Sequence, residues 1–316
     1  MQLSCTLEAH PAPALIGRRQ FFAMNTDIRL LALDWQKAEL LARCEEVFHA
    51  IEERFSRFRP SSELSLLNAA AGGEVVVSPE MFALLSLCVA YHRLSRGLFD
   101  PAVLHSLEAA GYDRSFELVP RQVADVPRPT AVPMKRSLGE LVMDRERPAV
   151  RAPPDMRLDL GGIGKGYAVD RAAEILAPAG DFLIDAGGDI YASGDGPDGP
   201  GWLVSIGDPL HEGEELALIQ LRDRALATST TARRAWQRGG RWLHHLIDPR
   251  TGQPAETDIV SASIVALTAV AADVFAKVAL VLGFEEGSAF LRARGSPGLF
   301  VFPDGTWQAT SDWPGG

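Results

Sequence analysis

Three short stretches carry side chains whose types and spacing suit chemistry on an anionic ligand. The first, Leu158-Asp159-Leu160-Gly161-Gly162-Ile163-Gly164-Lys165-Gly166, passes from apolar residues through a carboxylate into four glycines around a lysine. Backbone stripped of side chains beside one acid and one ammonium can come close to a phosphate. Lys165 opens a helical pattern, where the helix dipole disfavours a cation unless an anion accompanies it, and this points to a nearby phosphate. Two familiar glycine loops are excluded by spacing. A Walker A loop needs glycine where Asp159 stands and Ser or Thr where Gly166 stands. A G-x-G-x-x-G fingerprint begun at Gly162 needs glycine in place of Tyr167. The remaining alternative to a ligand site is a tight turn with Lys165 solvated.

The second stretch is His244-His245-Leu246-Ile247-Asp248-Pro249-Arg250-Thr251-Gly252. Strand alternation would put His244 and Leu246 on one face and His245 and Ile247 on the other. The Asp-Pro-Arg-Thr-Gly turn brings Asp248, the cation of Arg250, the hydroxyl of Thr251 and free N–H groups to one strand end, which suits a phosphate or a polar ring edge. His245 has the intrinsic pKa of a general base near neutrality. A purely structural hairpin is the alternative. The third stretch places Asp273 and Lys277 four apart on a helix. They form either a surface ion pair or, since Val270, Val274, Val278 and Val281 share their side, a buried acid that must be paired or hold a cation.

These groups need a scaffold, and the totals allow one. The 316 residues are 47% hydrophobic and 23% charged, enough for a sizeable core. The net charge of −10 with no basic stripe argues against nucleic acid as a partner. Any anion must be bound locally, by backbone N–H groups, a few cations or a metal. Cys5, Cys44 and Cys88 show no metal spacing, and the last two fall in helical patterns as buried free thiols. No secretory segment is legible, Cys5 having no apolar run before it, so a cytoplasmic location is expected. Asp273 and Lys277 interrupt the longest apolar run, so no transmembrane segment is expected.

Residues 1–20 read as a loose segment and 21–316 as a single domain of two intertwined lobes, with a loop-rich insertion over 112–150 holding one hairpin. Helices are expected over 37–58, from Ser62 to Asn68, over 79–96, 165–176, 270–282 and 286–294, with a helical turn over 230–236. Strands are expected over 21–33, 74–77, 156–160, 182–186, 190–192, 203–206, 215–221, 226–228, 242–247, 259–266, 298–302 and 307–310. Grouped helices and strands favour α+β, with mainly antiparallel sheets and packed helices.

The motifs together resemble the FAD:protein FMN transferase family, also called the ApbE family, from Met24 to Gly283. They are Met24-Asn25-Thr26, Ser56-Arg57-Phe58-Arg59-Pro60 with Ser62-Glu63 and Asn68, Phe99-Asp100-Pro101, Asp159–Gly166, Gly187–Asp189, Thr228-Ser229, His245–Gly252 and Ala272–Ala276. The resemblance implies a two-lobed fold and a reaction in which FMN moves from FAD to a Thr or Ser hydroxyl of a partner flavoprotein, releasing AMP with Mg²⁺ on the pyrophosphate. It implies that Met24, Phe58, Phe99 and Asp100 hold the adenosine end, and that Asp159 and Lys165 hold the flavin nucleotide. The Gly162 carbonyl and Asp273 would ligate magnesium, and His245 would be the base. The same site could serve an FAD pyrophosphatase or a silent FAD-binding protein. Three positions depart from the pattern. Lys277 stands where the family has a metal-ligating Thr, Thr230-Thr231 replaces Gly-Asp, and Phe58 replaces an adenine-stacking Tyr.

Overall fold

In the computed structural model, which describes residues 16–123 and 136–315, eight antiparallel strands form the central sheet. Their order is Gly17–Ala23, Thr26–Ala32, Phe182–Ala186, Ile190–Ser193, Arg224–Thr230, Ser261–Ala266, Gly298–Val301 and Trp307–Ala309. The sheet is thus assembled from both halves of the sequence. Alternation sets its two faces. In Thr26–Ala32, Ile28, Leu30 and Ala32 point to the helical side, whereas Leu31 packs on the opposite side. Ser261–Ala266 is buried at every position, as a central strand covered on both faces must be.

The helices are α1 (Ala38–Phe55), α2 (Glu63–Ala69), α3 (Pro79–Leu94), α4 (Leu104–Ala110), α5 (Gly164–Leu176) and α6 (Ala269–Arg292). Helices α1, α5 and α6 lie on one face of the sheet and bury their apolar stripes in the main core. The opposite face is covered by the hairpin of Trp202–Gly207 and Glu215–Leu221, whose Trp202, Val204, Ile206, Ile219 and Leu221 meet Ile190, Leu226 and Val265. A third cluster joins α4 to a small sheet, with Leu107, Ala110 and Tyr112 against Trp236, Leu243 and Ile247. The Trp236 indole donates to the Ala110 carbonyl at 2.9 Å.

Local chemistry sets the helix ends. Ser62 and Ser78 cap α2 and α3 by accepting from the N–H of Ser65 and Met81, and Pro79 opens α3. The two helices expected over 270–282 and 286–294 form one element kinked at Gly283, whose φ of 77° suits glycine. Asp258 caps the second half by accepting from Phe284 N at 3.1 Å. Cys44 and Cys88 are buried and free, and burial pushes the Cys44 thiol up to about 12. Cys5 and most of the loose 1–20 segment lie outside the described residues, as does the middle of the 112–150 insertion. The described part of that insertion contains the expected hairpin, Val142–Asp144 with Ala149–Arg151. No helix among the described residues is long and apolar enough to cross a membrane.

Two expectations are corrected. Residues 156–160 join no sheet. Asn68 receives the Leu158 N–H at 2.7 Å and donates to the Leu158 carbonyl at 2.9 Å, while Asp159 N donates to Pro101 O at 2.8 Å. A side chain thus replaces a neighbouring strand. The expected helical turn over 230–236 is instead a bend between strands Arg224–Thr230 and Ala235–Arg238, because the Thr230 hydroxyl ties the chain back to Val260 O at 2.8 Å.

Candidate active-site cleft

The three chemical stretches converge on one cleft of about 420 Å³, within the usual range for small-molecule sites. Arg57, Arg59, Lys165, Arg234 and Lys277 line it against the carboxylates of Glu52, Asp100 and Asp159. Four of these cations are paired, Arg57 with Asp159, Arg59 with Glu52, Lys165 with Asp189 and Lys277 with Asp273, so Arg234 is the lining cation that makes no ion pair among the described residues and can meet an anion unopposed. Phe22, Phe55, Phe58, Phe99 and Tyr112 supply apolar wall.

Met24 and Asn25 form the two-residue turn of the first hairpin, with φ of 52° and 62°. Positive φ at both centres is the hairpin turn that matches strand twist, and Asn tolerates it. The turn aims Met24 at the glycine loop. A Cβ on Gly164 would lie 3.4 Å from the Met24 methyl carbon.

Asp159 is held by Arg57, whose Nε lies 2.5 Å from Oδ2, and by the Gly161 N–H at 2.6 Å. The Arg57 guanidinium sits 4.1 Å over the Phe58 ring and 4.7 Å over Tyr112, and it donates to Tyr112 O at 2.8 Å. One face of Phe58 is thereby taken by a cation–π contact. Phe99 lies beside Gly162. Asp100 has its carboxylate engaged by the N–H groups of Ala102 and Leu138 and by the Ser137 hydroxyl. His92 stands 3.3 Å away. These bonds lock the segment around Asp100 and use its oxygens within the protein.

Lys165 is the second residue of α5, and its expected anionic partner is a protein group. Its ammonium pairs with the buried Asp189, from the Gly187-Gly188-Asp189 stretch. Burial works against the charged lysine, but the carboxylates of Asp189 and Asp273 outweigh it and hold its pKa above the usual value. A second acid–lysine pair lies on α6. Asp273, only 2% exposed, accepts from Lys277 through Oδ1, while its Oδ2 has no partner among the described residues.

His245 lines the cleft, and its Nδ1 has no hydrogen-bond partner among the described residues. Burial, then the charges of Arg234 and Lys277, hold its pKa well below the ordinary histidine value, so it is a neutral imidazole at pH 7. The alternating strand expected over 242–247 is broken after His244, and Ile247–Asp248 forms a separate short strand. His244 turns to the protein, its Nε2 lying 3.1 Å from Ala255 O. Asp248, Arg250 and Thr251 do not line the cleft. Asp248 receives the backbone N–H and guanidinium of Arg250, and the Thr251 hydroxyl reaches Asp248 O at 3.4 Å. The turn satisfies itself, and it presents only Pro249 together with the preceding His245–Ile247 to the cleft.

The donors expected to hold magnesium, Gly162 and Asp273, do not fit it. Mg²⁺ needs a near-octahedral set of oxygens. Here the Lys277 ammonium occupies Asp273 Oδ1, and the lysine stem fills the space beside Gly162. A Cβ there would lie 3.4 Å from Lys277 Cε and 3.5 Å from Cδ. A dication would share one carboxylate with an ammonium and meet it at close range. Among the described residues, the one three-ligand cluster is Asp208, His211 and Glu214, none of which lines the cleft.

Sequence reasoning gave no role to Arg57, Tyr112, Asp189 or Arg234. Arg234 carried no local signal, and it adopts a φ of 48° in a bend that brings it to the cleft. Non-glycine residues in this region cost about 1–2 kcal/mol, and such strain gathers at functional sites.

Fold and cleft together define an α+β protein with a cation-lined, aromatic-walled pocket for a small anionic ligand. The chain belongs to the ApbE family, whose model matches residues 24–300. It is 36% identical over 301 residues to a Treponema pallidum protein named FAD:protein FMN transferase, covering 87% of this chain and 81% of that one. A Klebsiella pneumoniae protein of the same name is 27% identical over 296 residues, covering 89% and 83%. The crystal structure of the ApbE protein from Thermotoga maritima superposes with a TM-score of 0.83 at 25% identity, covering 94% of this chain and 97% of that one. The flavin transferase ApbE from Vibrio cholerae shares the fold, with a TM-score of 0.77 at 22% identity over 94% and 97% of the two chains.

Proposed function

We propose that this chain is an FAD:protein FMN transferase. FAD lies in the cleft with its pyrophosphate at Lys165, Arg234 and Lys277 and its ring systems against the aromatic wall around Phe58 and Phe99. A Thr or Ser hydroxyl oxygen of a partner flavoprotein attacks the phosphorus on the riboflavin side. The bond from that phosphorus to the bridging oxygen breaks, and AMP leaves with that oxygen. The hydroxyl proton passes to His245. Cations fixed around a pyrophosphate supply transition-state stabilisation without reorganising, and a positioned base contributes about 10²–10⁴-fold. This reading uses no magnesium, and the pairing of the Lys277 ammonium with Asp273 supports that choice.

The observation that carries the reading is the neutral, unpartnered His245 facing a cationic wall. That arrangement suits deprotonation of a hydroxyl beside a phosphoryl group. The test incubates the protein with FAD and a flavoprotein subunit bearing a Thr or Ser acceptor. AMP release together with covalent flavin fluorescence on the partner is the expected result. AMP without labelled partner would replace the transferase with an FAD pyrophosphatase, and tight FAD binding with neither product would leave a flavin-binding protein.

A further inference from the structure

Two buried acid–lysine pairs meet at the floor of the cleft, and they are not equivalent. Lys165 is turned to Asp189 at the sheet. Lys277 is anchored by Asp273 from below, and its stem lies along the glycine loop at Gly162. Its side chain keeps 19% exposure and lines the cleft, whereas the Asp273 side chain keeps 3%. The Asp273 carboxylate, with the Asp273 carbonyl oxygen at 3.4 Å, fixes the position of the ammonium and leaves it one N–H for a ligand oxygen.

We propose that the Lys277 ammonium, held by Asp273 against the glycine loop, is the resident cation for the pyrophosphate, so that this protein binds its flavin nucleotide without a divalent metal. The inference rests on the flavin reading above. Charge balance supports it. Asp189 and Asp273 are offset by Lys165 and Lys277, and Arg234 makes no ion pair among the described residues, which leaves the floor net positive before ligand enters. A pyrophosphate then finds one unopposed positive charge, Arg234, together with the ammonium donors of the two lysines. The ammonium also reaches the catalytic end, since its charge helps keep His245 neutral. Lysine is well suited to this work as a compact point charge with rotatable donors. A tethered cation is present in every molecule, whereas a metal must be recruited from solution.

The experiment measures FAD binding to the full chain by flavin fluorescence and calorimetry, in EDTA and in millimolar MgCl₂. Wild-type affinity should agree within about twofold between the two conditions. K277Q should lose about tenfold or more in EDTA, the scale of one charge-assisted hydrogen bond, and K277R should retain most of it. K277T, with an oxygen donor in place of the ammonium, should gain affinity when Mg²⁺ is added. A wild-type affinity that rises tenfold with Mg²⁺ would overturn the proposal, since the lysine would then yield its place to the metal. Failure of the wild type to bind FAD under either condition would instead remove the flavin reading beneath it. The decisive comparison uses the wild-type chain, so a variant that folds poorly does not blunt it.

Discussion

Gly166 sits where α5 and α6 approach by backbone alone. A Cβ at that position would lie 2.7 Å from Ala269 O, 2.9 Å from Ala269 C and 3.0 Å from Val270 Cα. Carbon contacts are comfortable from about 3.5 Å, so Gly166→Ala requires the two helices to separate by roughly 0.5–0.8 Å. Nothing flexible can yield, because every atom met is main chain. Overpacking of this kind costs about 1–3 kcal/mol, and alanine's better helix propensity returns up to about 1 kcal/mol. The net loss is about 1–2 kcal/mol. For a chain of this length the unfolding entropy is roughly 0.66 kcal/mol/K, so Tm should fall by about 2–3 °C.

The activity loss should exceed what that stability loss suggests. Lys165 precedes Gly166 on α5, and Asp273 and Lys277 lie one and two turns beyond Ala269 on α6. Parting the helices moves the two acid–lysine pairs relative to each other, and misplacement near 1 Å can cost about 10²-fold in rate. Gly164→Ala is the internal control, since its Cβ meets only the mobile tip of Met24 at 3.4 Å. Its Tm should stay within about 1 °C of wild type on that account. The assays are differential scanning calorimetry and AMP release with FAD and acceptor. Equal Tm and turnover for Gly166→Ala and wild type would refute the reasoning, as would equal damage from the two alanines.

Other perturbations test separate parts of the cleft. Asp189→Asn removes the counter-ion of Lys165, whose side chain keeps 21% exposure in the cleft, and should destabilise the fold by about 1–3 kcal/mol, read from urea unfolding; unchanged stability would refute a structural role for the pair. Arg234→Gly and Arg234→Ala both remove a cleft cation and should weaken FAD binding alike, yet the glycine variant should be the more stable by about 1 kcal/mol, since only it relieves the φ of 48°. His245 should act as a base through the ordinary histidine range, so the rate should stay flat as pH falls past 6.5 and drop only at lower pH, and a rate already halved near 6.5 would contradict its depressed pKa. Asp170 accepts from the N–H groups of Ala269 and Val270, and burial raises its pKa to about 6 from 3.8. The folded state therefore binds more protons between those values, so this group's stability contribution is present at low pH and is lost as pH rises towards 6, by up to about 3 kcal/mol. The Tm of the wild type relative to that of Asp170→Asn should accordingly rise on acidification, and a constant offset would refute the shift.

What could be read from the sequence was whatever depends on near neighbours. Serines before α2 and α3, the apolar stripe of α1 and the glycines around Lys165 act within a turn or two, and the structure keeps all of them. One missed hairpin was legible in principle, because Gly239-Gly240 with φ of 55° and 75° joins the strands around Trp236 and Trp242 as a two-residue turn. The charge pairing was not legible. Lys165 belongs to Asp189 because α5 packs on the strands around 182–193, and Arg57 to Asp159 because the end of α1 meets the segment before α5, and no local pattern records those contacts. Asp248 and Arg250 fail for the opposite, local reason: residue types suited to an anion satisfy one another within two positions. Lys277 joins both cases. Its spacing from Asp273 gave the pair at once, but an exposed i,i+4 pair and a buried anchored cation share that spacing. The difference lies in the surroundings, a buried Asp273 carboxylate behind the ammonium and a stem that runs beside Gly162 in the cleft. Gly162→Ala would meet that stem at ordinary contact distance, 3.4 Å, and should leave Lys277 in place, whereas a larger side chain there should displace it.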